Sequence, residues 1–128
     1  DGTAAARAAA GLPQPRTSIL AHSYGTVVVD EAADVPGPLA ADSVVLLGSP
    51  GMEPSGAHAL EAPEVYDAWS ANDPVSYGGW HGSAPSLGWY GSTGLPDSHR
   101  MTHSDYYDPD FPTVNAIGAV VVGARAAE

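Results

Sequence analysis

Residues 43–47, Ser-Val-Val-Leu-Leu, form an almost wholly apolar run that stops abruptly at Gly48-Ser49-Pro50-Gly51. The run is strand-length, and no polar residue alternates through it, so a strand here has to be covered on both faces. An antiparallel sheet with one wet face would show polar side chains at every second position. The chain is therefore constrained to a layered α/β arrangement, with a parallel sheet between helices.

The flanking segments fit that arrangement. Residues 1–10 are alanine-rich and favour a helix that Gly11, Pro13 and Pro15 end. Residues 17–21 read as a buried strand, and 24–33 as a helix closed by Pro36-Gly37-Pro38. A short helix is expected over 55–62 and a strand over 64–69, running into Ser70-Ala71-Asn72-Asp73-Pro74. Residues 78–98 carry Gly, Ser and Pro with Trp80, Trp89 and Tyr90 among them, and read as one long loop, of the kind that is either a functional lid or a disordered stretch. Val114, Ile117 and Val121 sit at helical spacing in a C-terminal helix over 113–127, although Gly118 and Gly123 oppose it and Val120-Val121-Val122 also suits a strand. No internal repeat is visible. The expectation is one α/β domain over residues 1–128, with a parallel sheet of about three to four strands flanked by helices. Chemistry in such folds gathers at the carboxyl ends of the strands, where Ser23, Ser49 and Asp73 fall.

Charge narrows the function. Fifteen Asp and Glu face four Arg and no Lys, for a formal net charge of −11. Such a surface repels nucleic-acid phosphates and anionic lipid. No apolar run approaches the roughly twenty residues needed to span a bilayer. With no cysteine, disulfides, thiolate metal sites and a cysteine nucleophile are excluded. The sequence offers no reading of compartment.

Ala21-His22-Ser23-Tyr24-Gly25 joins the first strand to the helix that follows it. The pentad matches the nucleophile-elbow pattern G-x-S-x-G with alanine for the first glycine. In that turn the serine rises above the sheet, neighbours two positions away must be small, and the next N–H, here Tyr24, points at a developing oxyanion. A serine nucleophile also needs a base and a carboxylate to orient it, in the chain order Ser, acid, His. Asp73 and His103 satisfy that order and lie at the expected strand end and just before the C-terminal helix.

Four segments in order, AHSYG (21–25), GSPG (48–51), NDPV (72–75) and THSDYYD (102–108), resemble the α/β-hydrolase superfamily. They are most similar to a bacterial branch with a GHSYG elbow, a GSPG turn and a late H-S-x-Y segment. The resemblance covers nearly the whole chain. It implies Ser23 as nucleophile, Asp73 as acid, His103 as general base and the Tyr24 amide as an oxyanion donor. Members of the superfamily place the elbow after the fifth of about eight strands, whereas here it follows the first. The chain is thus expected to correspond to the carboxyl part of such a domain, without the upstream strands and the loop that gives the second oxyanion amide. On that expectation Ile19 and Leu20 lie on an open strand edge through which the chain can associate, and the isolated chain is poorly soluble or nearly inactive.

The resulting function is a serine hydrolase, esterase- or lipase-like, that transfers the acyl group of a small ester to water without a cofactor. His22, Ser49, Trp80, Trp89 and Tyr106 are the expected pocket residues, with plainer roles in packing and turns open to each. Two other readings stand beside it. One is a non-catalytic binding module or inactive hydrolase fragment. The other is a metal-dependent hydrolase using His99 and His103, four apart, with Asp105, Asp108 and Asp110 nearby; Arg100 stands where the metalloprotease pattern has its glutamate.

Overall fold

A computed structural model describes residues 2–52, 56–77, 81–85 and 90–124. In chain order its elements are α1 (Gly2–Ala9), β1 (Ser18–His22), α2 (Gly25–Ala33), β2 (Ser43–Leu47), β3 (Glu64–Ala68), β4 (Thr93–Gly94) and α3 (Pro112–Val121), with 3₁₀ turns at Ala57–Leu60 and Pro74–Tyr77. The four strands form one sheet in the order β1-β2-β3-β4, and all three pairings are parallel. The α/β fold with a parallel sheet is as the alternation of strands and helices along the chain implies.

All five residues of β2 are buried, and its side chains alternate between two cores. Val45 and Leu47 pack with Met101, Tyr106, Ile117 and Val120 on the α3 side. Val44 and Leu46 pack with Ala21, Val29, Met52 and Leu60 on the α2 side. Each fully buried Val or Leu contributes about 1.5–3 kcal/mol, so this strand is the main anchor of the domain. β1 is the outer strand, and Leu20 on it is 39% exposed.

Local chemistry sets the ends. α1 stops at a left-handed Gly11, where Leu12 N–H donates to Arg7 O and Gly11 N–H to Ala8 O, the paired bonds that satisfy the last carbonyls of a helix. α1 buries no residue. The expected helix over 55–62 is one 3₁₀ turn in the described part, closed by Glu61 in the left-handed conformation. The C-terminal helix ends at Val121, because Gly123 takes φ +75° and its N–H turns back to Val120 O. The Arg16 guanidinium donates to that same carbonyl and pairs with Glu64, tying the lead-in to β1, β3 and α3 together. Within the segment expected as one long loop, Thr93 and Gly94 form β4 and pair with Tyr66 and Asp67.

Candidate active site

The turn from β1 into α2 carries Ser23 at φ +58°, a conformation that costs a non-glycine residue about 1–3 kcal/mol and persists only where its surroundings hold it. Three neighbours do so. Ser23 N–H donates to Leu47 O at 2.9 Å, extending the sheet pairing by one residue. Ser23 O accepts the Thr26 N–H at 3.0 Å and the Thr26 hydroxyl at 2.8 Å. With its proton so used, Thr26 Oγ1 accepts from Ser49 Oγ at 2.8 Å, and Ser49 Oγ in turn accepts the Gly51 N–H at 3.3 Å. Thr26 and Ser49 are both buried. Ser49 therefore braces the elbow from below.

Past the elbow, the Tyr24 N–H sits at the amino end of α2, which starts at Gly25 and has no carbonyl of its own one turn earlier to receive it. The helix dipole adds partial positive charge there. The Tyr24 ring is exposed and meets His81 edge-on, centroids 5.4 Å apart. The small residues do not all act as expected. Ala21 is packed in the core, but a Cβ on Gly25 would meet nothing within 4 Å among the described residues.

The crowding lies at Gly48 instead. A Cβ there would stand 2.8 Å from Asp73 Oδ2, 2.8 Å from Tyr106 Cε2 and 3.2 Å from His103 Nδ1, and the residue has φ +54°. The GSPG turn thus clears the space in which Asp73 and the His103 imidazole meet. Nothing in the sequence separates this glycine from an ordinary turn glycine.

Asp73 follows β3 and is completely buried. Its Oδ1 accepts the Val75 N–H at 3.0 Å, its Oδ2 accepts the Tyr106 hydroxyl at 2.6 Å, and His103 Nδ1 lies 3.0 and 2.9 Å from the two oxygens. Three donors thus surround one carboxylate. The carboxylate accepts from Nδ1–H, so the imidazole's lone pair is on Nε2, which lies 2.7 Å from Ser23 Oγ and accepts its proton. Ser23, His103 and Asp73 form one continuous hydrogen-bonded line, drawn from three segments that end near the carboxyl edge of the sheet. Among the described residues no buried side-chain polar atom lacks a partner.

Tyr106 stands behind Asp73, its hydroxyl on the carboxylate. It is 1% exposed, and burial, reinforced by its bond to Asp73, pushes its pKa far above the ordinary tyrosine value, so it remains a donor. His22 is half-buried and bonds to the backbone of His103, Nε2 to O 2.6 Å. Trp80 and Trp89 lie outside the described residues. Tyr106 and His22 thus contact Asp73 and the segment that carries His103, contacts that only the tertiary structure reveals.

The metal reading loses its geometry. Residues 99–103 are turns and not helix, so the two histidines share no helical face. Both ring nitrogens of His103 face protein partners. The described residues hold no group of three or more His, Asp or Glu side chains able to bind a metal ion. No helix among them is long and apolar enough to cross a membrane.

Residues 3–80 match a family model described as alpha/beta hydrolase. Ser23 and Asp73 fall inside the matched span, and His103 lies beyond it. No curated protein and no solved structure matches the chain.

Proposed function

This chain belongs to the alpha/beta hydrolase family, and from that premise we propose that it is a serine hydrolase that transfers the acyl group of small esters to water. Ser23 Oγ attacks the carbonyl carbon as His103 Nε2 takes its proton. The ionised Asp73 holds the imidazole in the tautomer that leaves Nε2 free and offsets the charge of the imidazolium that forms. The oxyanion of the tetrahedral intermediate is met by the Tyr24 N–H at the head of α2. His103 then hands the proton to the departing alcohol, leaving an acyl-serine. A water, deprotonated by the same nitrogen, cleaves that ester and frees Ser23. No step calls for a cofactor.

The observation that carries this reading is the 2.7 Å contact between His103 Nε2 and Ser23 Oγ, with Nδ1 on a buried carboxylate at the other side of the ring. Esters are the favoured class because their leaving groups need the least protonation. The test is labelling with a fluorophosphonate, which reacts with serines activated in this way. Label on the peptide containing Ser23, and its loss in Ser23→Ala, is the expected result. An intact, folded protein that takes no label would instead mark the fold as a binding module.

A further inference from the structure

We propose that His22, the residue before the nucleophile, is a positioning residue that sets the distance between Ser23 and the general base by gripping the base's own backbone. The inference rests on the hydrolase reading and extends it to a side chain that touches none of the reacting atoms.

His22 ends β1, where its backbone pairs with Leu47 at the rim of the sheet. Its Nε2 lies 2.6 Å from the carbonyl oxygen of His103. A carbonyl only accepts, so Nε2 carries the proton and His22 is the donor. The ring also stacks on the His103 ring, with centroids 4.7 Å apart and planes tilted by 34°. It stands 5.7 Å from the Tyr106 ring and 6.4 Å from the Tyr107 ring. One side chain from the nucleophile's strand therefore sits against three rings of the base-bearing segment.

That segment needs such a grip. Residues 99–111 form turns and irregular backbone with no helix or strand, so their placement depends on side-chain bonds and on the buried Met101 and Tyr106. The bonds of His103 and Tyr106 to Asp73 fix the segment to the loop after β3. They leave the distance to the elbow unset. His22 closes that gap, because it is covalently next to Ser23 and holds the backbone of the very residue that must receive the serine proton. A displacement of about 1 Å between such groups slows reaction about a hundredfold.

The experiment compares two substitutions that differ in one property. His22→Phe keeps a ring for stacking and loses the donor; His22→Gln keeps an N–H₂ within reach of the carbonyl. In the full-length protein, His22→Phe is expected to lower the rate of fluorophosphonate labelling, and kcat on p-nitrophenyl acetate, by about 10- to 100-fold with KM unchanged. His22→Gln should restore most of the loss. The ring ¹⁵N signals of His103 should shift in His22→Phe and return towards wild type in His22→Gln. If His22→Phe does not fold, His22→Leu takes its place against His22→Gln. Labelling at the wild-type rate in both variants, beside a wild type that labels, overturns the positioning role alone. A wild type that takes no label while its His103 signals still respond to His22→Phe overturns the hydrolytic reading, and the catalytic meaning of the contact falls with it.

Discussion

The two ends of the Ser23–His103 hydrogen bond are built in opposite ways. Ser23 sits where a strand becomes a helix, and its unusual backbone is held by a sheet bond to Leu47 and a buried chain of hydroxyls through Thr26 and Ser49. His103 sits in a run of turns held by side chains: its own bond to Asp73, that of Tyr106 to the same carboxylate, and that of Thr102 to Asp105. Met101, fully buried, is the segment's anchor in the core. Ser23 is thus part of the fold, whereas His103 is attached to it. On the proposed mechanism, damage near the elbow should register first as lost stability, and damage around His103 first as lost turnover.

Gly48→Ala puts the sharpest strain on that distinction, because Gly48 follows β2 directly and a Cβ there would meet Asp73, His103 and Tyr106. The added methyl meets Asp73 Oδ2 and Tyr106 at 2.8 Å, on a backbone with φ +54°, and must push the carboxylate aside. A loss of about a hundredfold or more in kcat is expected, with a lowered melting temperature. Retention of near-wild-type kcat would show that the acid can be displaced without consequence.

Tyr106→Phe removes one donor from the buried Asp73 and leaves the ring in place. A bond to a charged group is worth about 1.5–3 kcal/mol, and kcat should fall about tenfold, equivalent to about 1.4 kcal/mol in the barrier. Thr26→Val is its counterpart at the elbow. It keeps the shape, removes the hydroxyl bond to Ser23 O and strands the Ser49 proton, so stability should fall by about 1–3 kcal/mol with a smaller effect on kcat. Chemical denaturation of both variants beside their kinetics checks the pairing, and a reversal of the two ratios would end the distinction between fold-held nucleophile and attached base.

The mildest effect belongs to a carboxylate away from both ends. Burial raises the pKa of Asp67, with the Ser92 hydroxyl opposing the rise and Asp97 adding to it. The folded state then binds this proton more readily than the unfolded chain, so stability falls as pH climbs from the ordinary Asp value through the raised one. Asp67→Asn, which can still accept from Ser92, should melt slightly higher than wild type at pH 7. The gain should vanish as the pH drops below the ordinary Asp range.

The features visible in the sequence are those fixed by short-range pattern. Residues 43–47 announce a covered strand because burial on two faces excludes alternation. Ser23 is marked by small neighbours at a strand-to-helix junction, and Asp73 and His103 by their order and their places after and before regular elements. What stayed hidden depends on approach between distant segments. The space that Gly48 leaves for Asp73 and Tyr106, the grip of His22 on His103 and the burial of Ser49 beneath the elbow have no local signature. β4 has only Thr93 and Gly94, too short and too polar to read as a strand. The helix expected over 113–127 stops early, because one left-handed glycine at 123 outweighs the apolar periodicity before it.

Measuring kcat for Ser23→Ala, His103→Ala and the double variant on one activated ester tests whether the nucleophile and the base act as one unit. If they do, either single change removes the activity that depends on both, and the double variant is no slower than Ser23→Ala. A double variant slower by the product of the two single losses would mean that the two residues contribute independently, and the hydrogen-bonded line would not be the catalyst.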